Sequence, residues 1–203
     1  MRKPALSTGK MVRLAVLVAI LLVMVYTPLG YLKAGPVSIT FLMIPVAIAS
    51  IIIGPVAGAF MGGVFGLTSF IQCFGADAFG TALLAINPIL TFIMCMLPRL
   101  LAGWLPGLIF RALSRIAVRK TASAFIAGFC ASVFNTIFFV GALVLLFGNT
   151  DIVRSMGDTA WKVIGVLVTS NALIEAAACT VVAGAVGRAL IQYIPIKQKP
   201  ASN

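Results

Sequence analysis

The chain has 203 residues, 62% hydrophobic and 9% charged, with a mean hydropathy of +1.16. That composition excludes an ordinary soluble domain, and its apolar runs are long enough to cross a hydrocarbon layer of about 30 Å. The net charge of +11 would suit nucleic acid, but the cations cluster between apolar runs, where they set membrane topology; no nucleic-acid partner is expected.

Six apolar segments are predicted, near 12–32, 38–53, 55–75, 87–110, 121–147 and 161–191. They imply an all-α integral membrane protein, a six-transmembrane-helix bundle forming one domain over 1–203. Arg2, Lys3, Lys10 and Arg13 precede the first segment, Arg111, Arg115, Arg119 and Lys120 separate the fourth and fifth, and Arg188, Lys197 and Lys199 follow the last. The opposite side keeps Lys33, Arg154 and Lys162, offset by Asp77, Asp151 and Asp158. The positive-inside rule therefore puts both termini in the cytoplasm. The first segment has the look of a signal peptide but lacks a clear small-x-small cleavage site, so it is expected to remain as the first span.

That first span carries Ala15 and Ala19, a small-xxx-small pair on one face, suited to docking a helix of another protein. Residues 30–40, with Lys33, form an outward loop, and 148–160 form the longest outward polar stretch; at least one is expected to act as a lid. Gly54-Pro55 marks a tight turn between the second and third spans. Gly54, Gly58, Gly62 and Gly66 recur every fourth residue, which predicts close backbone packing against a neighbouring helix.

Polar side chains concentrate in the last three spans. Asn87, Thr91, Cys95 and Arg99 share a face of the fourth, Asn171, Glu175 and Cys179 form a stripe on the sixth, and the fifth adds Ser132, Asn135 and Thr136. Pro88 suits a helix start, whereas Pro98 and Pro106 fall inside the helix and should free backbone carbonyls near Arg99. At 1.5 Å per residue, Arg99, Asn135 and Glu175 all lie roughly 20 Å from the outer ends of their spans. A charge at that depth costs about 2.5–3.5 kcal/mol on insertion scales and marks a partner or a ligand. Two compatible arrangements follow: an Arg99–Glu175 ion pair bridged by Asn135, or a polar cavity in which these groups meet a solute. Phe70, Phe74, Phe92, Phe134, Phe138, Phe139 and Trp161 are available as apolar walls.

Chemistry beyond binding finds little support. The four cysteines fall in four different spans without CxxC spacing, and there is no histidine. No metal, cofactor or disulfide is expected. There is no GxxxxGK[ST] loop, GxSxG or HExxH motif, so no catalytic residue is assigned and the chain is not expected to be an enzyme. A small bundle with a polar cavity and no energy source suggests a capture subunit coupled to another machine.

Several segments together resemble the substrate-binding S components of energy-coupling factor (ECF) transporters. They are Ile44-Pro45 ahead of Gly54-Pro55 and Gly58, the PRLLAG element at 98–103, Phe134-Asn135-Thr136, and Asn171 followed by Glu175, in that order along nearly the whole chain. The resemblance implies a six-helix S-component fold, both termini inside, in the bacterial cytoplasmic membrane. It implies tight binding of a vitamin at the outer face and work with a transmembrane coupling protein and two cytoplasmic ATPase subunits. Ala15 and Ala19 match the family's coupling-protein contact, and release would follow when the subunit topples in the bilayer. The NPILTF and FIQCFGADAFG segments look most like members assigned to pantothenate, with a hydroxymethylpyrimidine or pyridoxine-type precursor next and riboflavin or folate after. The substrate-binding set expected is Lys33, Asn87, Thr91, Arg99, Asn135, Asn171 and Glu175. A non-transport membrane scaffold is the alternative outside this family.

Overall fold

Glycines decide how the bundle is assembled. The computed structural model describes residues 8–28, 30–34, 37–116, 119–150, 153 and 171–193. Helix α3 (Pro55–Gln72) lies along α5 (Pro88–Arg115) with the glycine stripe turned inward. A Cβ on Gly58 would strike the Gly103 carbonyl oxygen, one on Gly103 would strike that of Gly58, and one on Gly62 would strike that of Arg99. At Gly66 the same atom would sit 2.8 Å from the Cys95 carbonyl oxygen. Three turns of α3 thus touch α5 backbone to backbone, the close approach that small residues permit where lipid offers no hydrophobic drive. Ser50 on α2 (Met43–Ile52) joins this contact by donating its hydroxyl to the Gly103 carbonyl at 2.7 Å.

Helix α6 (Lys120–Phe147) packs between α5 and α7 (Asn171–Tyr193). Its α7 side is lined by small residues: Ala124, Ala127 and Ala131 are fully buried, as is Ala183 of α7. The centre belongs to α2, which touches α1 (Thr8–Val25), α3, α5, α6 and α7. A helix apolar on every side is stable only when surrounded, and nine residues of α2 are buried. Helix α1 is peripheral: Leu21 and Val25 reach the core, while Met11, Val12, Val16, Ile20 and Val23 are exposed.

The all-helical expectation holds, with three local differences. Residues Tyr31–Ala34 (β1) and Val37–Thr40 (β2) form an antiparallel hairpin pairing Lys33 with Ser38, where an irregular loop and the start of the second span are expected. The second apolar segment is therefore divided between β2 and α2, whose ten residues cover about 15 Å. A short helix, α4 (Ala78–Ile86), stands where no element is predicted; Asp77 caps it, with Oδ2 accepting from the Gly80 N–H at 2.9 Å. Among the described residues, five helices, α1, α3, α5, α6 and α7, are long and apolar enough to cross a membrane. Residues 161–170 of the last expected span, Trp161 and most of the 148–160 stretch lie outside the described residues.

The Gly54-Pro55 turn is as expected. Gly54 has φ +132°, a left-handed value that glycine alone adopts without strain, and Pro55 opens α3.

Candidate functional site

Arg99 owes its position to the proline before it. Pro98 has no N–H, so the Met94 carbonyl one turn earlier lacks its helical partner. The Arg99 side chain bends back and fills that vacancy, Nη1 donating to the Met94 oxygen at 3.1 Å. Nη2 donates to Ser69 Oγ on α3 at 3.2 Å. Two rings face the guanidinium: Phe65 of α3, with its centroid 5.2 Å from Cζ, and Phe139 of α6, at 4.9 Å. The residue is 8% exposed, and its Nε is buried without a partner.

Glu175 does not pair with it. Among the described residues, no carboxylate oxygen lies within 4.0 Å of Arg99. The direct ion-pair arrangement is therefore corrected: α6 packs against both α5 and α7, and Glu175 of α7 finds its hydrogen-bond partner on α6. Glu175 instead accepts from Asn135 Nδ2 at 3.4 Å and is 7% exposed. A carboxylate only accepts, so this contact turns the Asn135 Oδ1 away from it. That Oδ1 is buried and unpartnered, and Ser132 Oγ, about one turn away on α6, is buried beside Glu175. Phe139, which covers Arg99, lies one turn beyond Asn135 on the same face of α6.

The result is a polar layer with unspent capacity. Arg99 offers an N–H and Asn135 an acceptor, both buried and unsatisfied, and Ser132 adds a hydroxyl beside Glu175. Buried polar groups are nearly always hydrogen-bonded, and each orphan costs about 1–3 kcal/mol. Such orphans leave donor and acceptor capacity unused.

The remaining predicted residues lie on several elements. Asn87 caps α5, its Oδ1 accepting from the N–H groups of Ile89 and Leu90 at 3.0 and 3.2 Å, which leaves its amide nitrogen available. Thr91, fully buried, donates its hydroxyl to the Asn87 carbonyl at 2.9 Å. Asn171 opens α7 and Lys33 stands in β1. Ala15 and Ala19 are both exposed on the outward face of α1. The aromatic set is partly assembled: Phe70 meets Phe74 and Phe92 edge to face at 5.4 and 5.1 Å, and Phe134 stacks on Phe138 at 5.7 Å.

Sequence reasoning missed Ser69 and Phe65 as partners of Arg99. Both lie on α3, and nothing local in the chain announces that α3 supplies the wall opposite Arg99. It also missed a pair: the cysteines are not all solitary, because Cys73 and Cys95 bring their Sγ atoms to 4.0 Å. Span membership separated them, and the α3–α5 contact joins them.

Comparison with known proteins agrees with this architecture. Residues 9–186 match the family described as ECF transporter, substrate-specific component. The pantothenate transporter PanT of Leuconostoc mesenteroides is 30% identical over 186 residues, spanning 85% of this chain and 87% of the relative. The pantothenic acid transporter PanT of Lactococcus lactis is 28% identical over 167 residues, spanning 76% and 79%. With its apolar spanning helices, glycine-packed bundle and matching family pattern from α1 into α7, this multi-pass bacterial membrane protein belongs to the substrate-specific components of ECF transporters.

Proposed function

We propose that the chain is the vitamin-binding membrane subunit of an ECF importer for pantothenate, with the polar layer around Arg99 as the floor of its site. One observation carries the substrate reading: Arg99 is a buried cation with a free N–H and no carboxylate partner among the described residues. An isolated buried charge is unfavourable, so the site favours a ligand that brings an anion. Pantothenate has one carboxylate, an amide and two hydroxyls. Its carboxylate meets Arg99, and its hydroxyl or amide groups meet Asn135 Oδ1 and Ser132 Oγ. Uncharged pyrimidine or pyridoxine-type precursors and riboflavin would leave the cation uncompensated. The two relatives, both pantothenate transporters by name, support the same choice.

In this reading α2 and the hairpin together complete a sixth crossing, and the arginine-rich end of the bundle, with both termini, faces the cytoplasm. The hairpin end faces outward, and β2, packed against α7, covers the site from that side. Lys33 and Asn171 stand at the mouth, and Asn87 and Thr91 line the wall from α5. Glu175 acts on the ligand through Asn135, whose carboxamide it orients. The exposed Ala15–Ala19 face of α1 receives the coupling protein, and ATP is hydrolysed by two partner ATPase subunits. Toppling of the loaded subunit delivers the vitamin to the cytoplasm.

The test is titration calorimetry of the purified subunit against the water-soluble vitamins. Saturable binding of pantothenate, with none of pyridoxine or riboflavin, is the expected outcome. Preferential binding of an uncharged vitamin would refute the role given to Arg99.

A further inference from the structure

Cys73 and Cys95 are brought together by the contact that aligns Gly66 with the Cys95 carbonyl. Their sulfurs are 4.0 Å apart and the residues are 3% and 2% exposed. The Cys73 S–H donates to the Ser69 carbonyl at 3.3 Å, so the Cys95 S–H is the one aimed at the Cys73 sulfur. Cys95 lies one helical turn from Arg99 on the same face of α5. Backbone of α4 covers the pair, since a Cβ on Gly80 would sit 2.5 Å from Cys73 Sγ. Only a small oxidant can enter.

We propose that Cys73 and Cys95 are a redox modification site, a dithiol that closes reversibly to a disulfide under a small peroxide. The Cys95 sulfur attacks the O–O bond of hydrogen peroxide and takes one oxygen as a sulfenic acid, while the other oxygen leaves as water with the thiol proton. The Cys73 sulfur then attacks the sulfenic sulfur, the S–S bond forms, and the hydroxyl departs as a second water with the Cys73 proton. Two thiols and one peroxide give one disulfide and two waters; each sulfur loses one electron and each peroxide oxygen gains one. The sulfurs must close from 4.0 Å to about 2.05 Å.

The bond has a route to the ligand, resting on Arg99 as the anion site. Ser69 holds both ends: its carbonyl accepts from Cys73 and its hydroxyl accepts from Arg99 Nη2. Oxidation removes the S–H donor and pulls the end of α3 toward α5, displacing the hydroxyl that steadies Arg99. Pantothenate affinity is expected to fall about tenfold on oxidation and to return with dithiothreitol.

The purified full chain is treated with hydrogen peroxide, denatured, alkylated and mapped by mass spectrometry. Two of the four thiols should be lost to a Cys73–Cys95 linkage, and neither C73A nor C95A should form one. Four free thiols after oxidation, or linkage only elsewhere, would overturn the proposal. Calorimetry on the same samples tests the coupling. A linked protein that binds pantothenate as well as the reduced one refutes it, and so does an equal loss of affinity in peroxide-treated C73A. Reduced protein that binds no pantothenate would defeat the functional reading, while the thiol map would still decide the disulfide.

Discussion

Replacing Arg99 by glutamine separates the ligand role of this cation from a structural one. Glutamine keeps a neutral N–H donor on the Met94 side of α5, although its side chain ends two bonds short of Nη1. Lost are the hydrogen bond to Ser69, worth about 1 kcal/mol, and the faces of Phe65 and Phe139, at about 0.5–1 kcal/mol each. Gained is relief from holding a charge at mid-membrane depth, about 2.5–3.5 kcal/mol. These terms nearly cancel, and the ligand-free variant should unfold within about 1 kcal/mol of the parent in a detergent melt. Binding should respond differently, because a charge-assisted hydrogen bond contributes about 1.5–3 kcal/mol, or roughly 10- to 150-fold in Kd. Calorimetry with pantothenate and with pantothenol, in which a primary alcohol replaces the carboxylate, is the deciding assay. The parent should prefer the acid strongly, and Arg99→Gln should bind acid and alcohol about equally. A variant that keeps the parent's preference would show that the carboxylate does not meet Arg99, and the argument from an unpaired cation would fail.

Three further outcomes are expected. Asn135→Ala should weaken pantothenate binding by about tenfold; tolerance of Asn135→Ala in calorimetry would remove it from the site. Gly62→Val should destabilise the detergent-solubilised protein by about 2 kcal/mol or more, because the added carbons meet the Arg99 backbone oxygen, whereas Gly141→Ala, with open space around it, should be neutral or gain up to about 1 kcal/mol from helix propensity; equal melts for the two would contradict the α3–α5 contact. Ala15→Trp should abolish uptake in cells expressing the complete transporter yet leave pantothenate binding by the isolated subunit intact; loss of binding would make α1 part of the core instead.

Features written in short-range patterns were legible in the chain. The glycine stripe, the Gly54-Pro55 turn, the Pro88 helix start and the carbonyl freed by Pro98 each depend on residues within one or two turns. What escaped depends on azimuth and on partners distant in sequence. Depth along a span put Arg99, Asn135 and Glu175 in one layer but could not say that Glu175 turns to Asn135 and Arg99 to Met94 and Ser69. The same limit hid Ser69 and the Cys73–Cys95 pair. The hairpin was missed because a β-branched run beside a membrane segment reads most simply as helix, since open strands are excluded from lipid. Asp77 ahead of an apolar run was a usable start signal for α4, although nine residues are too few for periodicity to confirm.

Pro98 has a consequence for affinity that its helix-breaking reputation conceals. An unrestrained arginine carries about 2 kcal/mol of rotamer entropy, most of which a ligand must remove when it fixes the guanidinium. Here the orphaned Met94 carbonyl, the Ser69 hydroxyl and two aromatic faces have already removed it, and the free Nε waits in a fixed direction. A defect in the hydrogen-bond ladder of α5 thus serves as preorganisation, lowering the entropic cost of capture for a scarce solute.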